Sequence, residues 1–184
     1  MATVLPGTTI EVSKVDVGTS RSMFDGIFAA GGITLSQVSV MTGLEPYLIQ
    51  NWVKRGFVSP PQKRQYSKNQ FARIVIINML RESLQLDKIC GLLSYINGVL
   101  DDESDDLISD SELYHMYSDM IANKNINITD EDSVIAAAEK AAEGYNEPRA
   151  GAEARLVRIL RVMAYAHFAT ISRRAAEEML AHLG

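Results

Sequence analysis

The chain has 184 residues, 47% hydrophobic and 22% charged, which is enough apolar material for a substantial core and excludes disorder throughout. Its most apolar run, Ile74 to Leu80, falls far short of the roughly 20 residues a membrane-crossing helix needs. Met1 to Ser20 lacks the basic, apolar and small-residue regions of a secretory signal, so the expectation is a cytoplasmic protein without membrane contact. One cysteine, Cys90, excludes an intramolecular disulfide and a thiolate-rich zinc site, and its apolar helical setting makes it a core residue.

The first twenty residues mix Gly, Thr, Ser and Val without helical period and read as an extended or mobile arm, with a short helix over about Ser22 to Ala30. Thr34-Leu35-Ser36-Gln37 has the form of a capping box and starts a helix that Thr42-Gly43 ends. After a three-residue turn, Pro46 opens a second helix running to about Arg55. Ile49, Trp52 and Val53 form its packing side, and Tyr47, Gln50, Asn51 and Lys54 its polar side. Gly56 stops it, Phe57 to Pro61 is extended, and Lys63-Arg64-Gln65-Tyr66 follows.

Ser67 to Gln70 is a second capping box. The helix behind it, with Phe71, Ile74, Val75, Ile77 and Met79, should be the apolar centre of the module. A fourth helix with Leu86, Ile89, Leu92, Leu93 and Ile96 closes at Asn97-Gly98. The acidic run Asp101 to Asp106 reads as a solvated linker. Beyond it, helices are expected from Ser109 and from Thr129 to Asp132. A long helix, or two parted near Thr170, then covers about Arg149 to Leu183, with Leu156, Ile159, Leu160, Met163 and Ala166 inward. The expected division is an arm over 1–33, a helix-turn-helix module over 34–98, an acidic linker over 99–108 and a helical region over 109–184.

The net charge of −5 would argue against nucleic acid if it were evenly spread. It is not. From Pro46 to Arg81 the bases Lys54, Arg55, Lys63, Arg64, Lys68, Arg73 and Arg81 occur with no acid, while Asp101 to Asp132 is acidic but for Lys124. Two short helices around a tight glycine turn, the second polar and followed by bases, is the arrangement that lets a helix enter the major groove while flanking cations hold phosphates. No glycine-rich phosphate loop, nucleophile elbow or His-Glu-x-x-His motif occurs, so neither an enzyme nor a cofactor is expected. His115, His167 and His182 lie too far apart in sequence to specify a metal site.

Thr34 to Ile96 resembles the winged-helix DNA-binding domain of the MerR regulator family. The resemblance rests on Val38, Thr42-Gly43-Leu44, Ile49, Trp52, Lys54-Arg55-Gly56-Phe57, Pro60-Pro61, Arg64-Gln65-Tyr66, Ile74, Leu80 and Leu86-Asp87-Lys88-Ile89. It implies an all-α fold in which a winged helix-turn-helix with a minimal wing is followed by a C-terminal helical domain. It also implies a recognition helix carrying Tyr47, Gln50, Asn51 and Lys54, and a wing on which Arg64 and Tyr66 touch the DNA backbone. Together with Arg55 and Lys63 these residues form the expected DNA-binding set, and the expected partners are double-stranded DNA, a second copy of the chain and a small-molecule effector. Two departures stand out: Gln50-Asn51-Trp52 replaces a segment that usually begins with arginine, and the wing is shorter. Both remove phosphate contacts, so the alternative is a protein-interaction module that keeps the fold without specific DNA binding. The full chain is also similar to bacterial proteins named only as a domain of unknown function.

Three assignments have two readings each. Tyr66 packs the wing or meets phosphate; Lys68 and Arg73 are solvated or touch DNA; Arg155, Arg158 and Arg161 form a solvated or dimer-facing stripe, or a second nucleic-acid surface. Trp52 is read as a core anchor.

Overall fold

A computed structural model describes residues 3–98, 100, 106–123 and 125–183. Among these the protein is mostly helical, with eight helices and two small two-stranded sheets. The expected all-α class is correct at that level. No helix among the described residues is long and apolar enough to cross a membrane.

The N-terminal segment is a packed strap. Strands β1 (Thr3–Val4) and β2 (Glu11–Val12) pair antiparallel, and Leu5 between them is buried. Helix α1 (Thr19–Ile27) begins three residues earlier than expected and buries Phe24. The arm escapes a helical reading because what fixes it is hydrogen bonding. Asn78 Nδ2 donates to the Gly7 carbonyl at 2.9 Å, Tyr114 Oη to the Pro6 carbonyl at 2.8 Å, and Thr9 N to Met41 O at 2.8 Å.

Strand β3 (Ile33–Thr34) leads into α2 (Leu35–Thr42), whose capping box forms as expected: Thr34 Oγ1 accepts from Gln37 N and Gln37 Oε1 accepts from Thr34 N. Gly43 ends α2 at φ 70, a left-handed conformation that suits glycine. Buried Leu44 anchors the turn into α3 (Pro46–Lys54), and Ser39 Oγ donates to its carbonyl at 2.6 Å. Strand β4 (Gln65–Tyr66) returns to pair antiparallel with β3, Ile33 facing Tyr66. Helix α4 (Lys68–Leu80) carries the second capping box and is buried without interruption from Phe71 to Ile77. Helix α5 (Leu86–Asn97) follows.

The second half does not stand apart. Helices α6 (Asp110–Ala122) and α7 (Glu131–Ala142), with the single 30-residue helix α8 (Ala152–Ala181), share one continuous core with α1 to α5. Tyr114 of α6 stacks on Phe24 of α1, ring centroids 5.1 Å apart. Ser109 caps α6, its hydroxyl accepting from Glu112 N. Residues 99 and 101–105 of the expected acidic linker, and Lys124, lie outside the described residues. Just past the acidic run, Leu107 and Ile108 are buried in the core.

Two histidines, His115 buried and His167 half-buried, tie elements together. His115 Nδ1 meets Ser20 Oγ at 2.9 Å and His167 Nδ1 meets Tyr117 Oη at 2.7 Å, so the two are held in separate places. Burial lowers both from 6.5 to about 4, with Arg21 adding to the effect at His115 and Arg174 at His167. An unfolded chain takes up those protons near pH 6.5 and the folded one refuses them, so the associated stability is full at neutral pH and is lost as pH falls from 6.5 toward 4. Urea unfolding at pH 7 and pH 5 should show a loss of roughly 1–2 kcal/mol per histidine. In a His115→Gln, His167→Gln double variant that difference should shrink; an unchanged difference would assign it to other groups.

Candidate nucleic-acid interface

Seven of the eight expected interface residues are exposed: Tyr47, Gln50, Asn51, Lys54, Arg55, Lys63 and Arg64. The first four lie on α3 at positions i, i+3, i+4 and i+7, hence along one stripe of that helix. The opposite side holds the helix down, with Ile49 and Trp52 buried, Trp52 as the core anchor expected. The eighth residue, Tyr66, is 2% exposed and sits in the core opposite Ile33, so the packing reading is correct and the phosphate reading is not. Its burial follows from the two-residue alternation of a strand: Gln65 faces out and Tyr66 in.

Between α3 and α4 the chain makes a two-residue hairpin. Gln62 N donates to Gln65 O at 3.1 Å and Gln65 N to Gln62 O at 2.8 Å, leaving Lys63 and Arg64 at the corner. Their φ angles are 48° and 64°, and they are the described non-glycine residues with positive φ. A turn with positive φ at both corners is the natural place for Asn-Gly. Two long cationic side chains there cost about 1–2 kcal/mol each in backbone strain. The hairpin is held from both sides. A Cβ on Gly32 would stand 2.8 Å from Gln65 Cβ, so only glycine lets β3 approach β4 so closely. Gln70, already part of the α4 capping box, donates through Nε2 to the carbonyls of Ser59 and Pro60 at 2.9 Å each. The sequence shows the bases of this segment but not the strain, because nothing in Gln-Lys-Arg-Gln announces a tight turn.

The structure sorts the basic segment by use. Arg73 is only 6% exposed, so neither the solvated nor the DNA-contact reading of it holds. Its Nε donates to the Phe57 carbonyl at 2.8 Å and its Nη1 to Asp110 at 3.0 Å. Lys68 pairs with Asp25 at 2.6 Å. Arg55 lies over the Phe57 ring, 4.4 Å from its centroid, with Nη2 3.5 Å from Asp87. Among the described residues no ion pair involves Lys54, Lys63, Arg64 or Arg81. In the C-terminal half, Arg155 covers the Tyr95 ring at 5.2 Å, Arg158 reaches the Tyr95 hydroxyl at 3.4 Å and Arg161 pairs with Glu131 at 2.5 Å, a solvated stripe already engaged within the chain. Cys90 is half-buried and burial raises its thiol pKa, consistent with an unreactive packing residue.

A polar cleft of about 850 Å³ lies beneath the hairpin, with Gln62 and Gln65 on one wall, Asn69 and Asn97 on others, and the Arg73–Asp110 pair among its lining. Asn97 Nδ2 donates to Asp110 at 3.2 Å, so the lining is braced by hydrogen bonds between α4, α5 and α6.

The fold and the surface define a small helical protein whose second-helix stripe and hairpin tip project polar and basic groups away from the core. Residues 33–117 match a family model described as a domain of unknown function (DUF1836). That match runs from β3 through the hairpin and α5 into α6, past the module end expected at residue 98. No curated protein and no solved structure matches the chain.

Relaxing the hairpin corner gives a direct test of its strain. Lys63→Asn with Arg64→Gly should raise the free energy of unfolding by roughly 1–2 kcal/mol, read from the urea midpoint at constant slope. A lower midpoint would show that the two side chains hold the hairpin rather than strain it.

Proposed function

We propose that the chain is a sequence-specific DNA-binding transcriptional regulator of the MerR-like winged helix-turn-helix type. Helix α3 enters the major groove, and the Lys63–Arg64 corner serves as a minimal wing on the flanking phosphates. The observation that carries this reading is the corner itself: two cations without an ion pair, kept in a backbone conformation that would be relaxed by Asn-Gly. Strain of that kind persists where the side chains are needed outside the fold. Lys54, at the last turn of α3, adds a third such cation.

Two copies join through α8 in this proposal. The helix is about 45 Å long at 1.5 Å per residue, and its last stretch, Ile171 to Ala181, is exposed throughout, as are the two residues that follow it. Val162, Tyr165, Ala169, Ser172, Ala176 and Met179 of α8 are all exposed and alternate spacings of three and four, the seam of a paired helix, and exposed Leu183 lies just past its end. Leu183 is 82% exposed, a large apolar area to leave in water. The cleft beneath the hairpin is the place assigned to a small-molecule effector, since a ligand there would press on the strand that carries the corner.

Fluorescence anisotropy with random-sequence duplex at two salt concentrations tests the reading. Binding should weaken steeply with salt, and Lys54→Glu or Arg64→Ala should each cost about tenfold or more and flatten the salt dependence by about one unit of slope. Equal binding by both variants would sink it, and no binding at low salt would leave the α3 stripe to an acidic protein partner. For the dimer, Met179→Glu with Leu183→Glu should convert a two-chain mass in light scattering to a one-chain mass; a one-chain wild type would remove α8 as the junction.

A further inference from the structure

The α3 stripe is built around two amides. Gln50 and Asn51 are exposed, and no hydrogen bond engages either side chain among the described residues. Tyr47 precedes them, 65% exposed, and Lys54 follows.

An amide side chain presents a donor and an acceptor side by side. In the major groove adenine is its complement, offering N7 as acceptor and the N6 amino group as donor, whereas guanine offers two acceptors and asks for paired donors, usually from arginine. The arginine at the end of this helix cannot easily supply them. Arg55 is the C-cap residue, drawn back over the Phe57 ring at 4.4 Å and toward Asp87 at 3.5 Å. Lys54 lies in the last turn of α3, while base edges are met mainly by the N-terminal part of a recognition helix, so Lys54 falls to phosphate. Tyr47, in the first turn, presents an exposed ring, an apolar surface of the kind that suits a thymine methyl group in the major groove.

Resting on the DNA-binding reading, we infer that α3 is an adenine reader: Gln50 and Asn51 each take an A·T base pair at the centre of a half-site, with Tyr47 packing on a neighbouring thymine methyl. The preference comes from amide complementarity and from the contacts that turn the exposed Arg55 toward Phe57 and Asp87.

The experiment is selection from a random duplex library with the full-length chain, its Gln50→Arg variant and its Asn51→Ala variant, all checked for native circular dichroism. The wild type should enrich sites with A·T at two defined positions. Gln50→Arg should turn one of them to guanine, and Asn51→Ala should lose preference at the other, each weakening the wild-type site roughly tenfold to hundredfold. Sites with G·C at those positions, positions indifferent to both substitutions, or binding without any enriched sequence would overturn the inference and leave DNA binding standing. Absence of salt-sensitive binding to any duplex would overturn both.

Discussion

Helix α4 is the constraint around which the molecule is arranged. Its residues from Phe71 to Ile77 are buried on every side, and a helix of that kind cannot lie on a surface. It must be covered in all directions at once, and the chain does so with pieces distant in sequence: α2 and the N-terminal strap, α5, α6 and α8. Phe71 alone meets Phe24 and Phe28, which come from the segment nearly fifty residues earlier. The burial that makes α4 stable therefore also makes the two halves of the chain one body.

The charge on that helix is handled in the same economy of space. Arg73 lies in the buried stretch, where an isolated cation would be strongly unfavourable, and its guanidinium is divided between the Phe57 carbonyl and Asp110. Asp110 is also the first residue of α6, where a negative charge favours the helix end, and it accepts from Asn97 as well. One buried group thus fixes the loop after α3, the end of α5 and the start of α6. Buried ion pairs contribute little net stability, but losing one partner leaves a charge stranded, so such a pair enforces one geometry more than it adds free energy. The hairpin rests on this arrangement through Gln70, Ser59 and Pro60. The exposed corner of Lys63 and Arg64 is consequently placed by a rigid support, as a surface feature must be if it is to dock in a fixed orientation.

Electrostatics follows the same division. The chain is acidic in total, yet among the described residues Lys54 on α3, Lys63 and Arg64 at the hairpin corner and Arg81 at the end of α4 make no ion pair, as is true also of Lys88 and Lys140, while Lys68, Arg73 and Arg161 are matched within the fold. Whole-chain charge says little about such a molecule, because what a partner meets is the surface left after internal pairing.

Read by itself, the sequence determined the local elements. The capping boxes at Thr34 and Ser67, the stop at Gly43, the start at Pro46, the apolar helix behind Ser67 and the inward set on α8 are all set by side chains within a few residues of one another. The α3 stripe was legible for the same reason, since helical spacing assigns faces. Tertiary structure alone decided which bases remain free, because Asp110, Asp25 and Asp87 reach Arg73, Lys68 and Arg55 from 37, 43 and 32 positions away. It decided that the N-terminal arm is a strap, since the donors and acceptors that hold it lie on α4, α6 and α2. It also decided the strained corner, where a hairpin pinned by Gly32 and Gln70 imposes on Lys63 and Arg64 a conformation that neither residue would adopt locally.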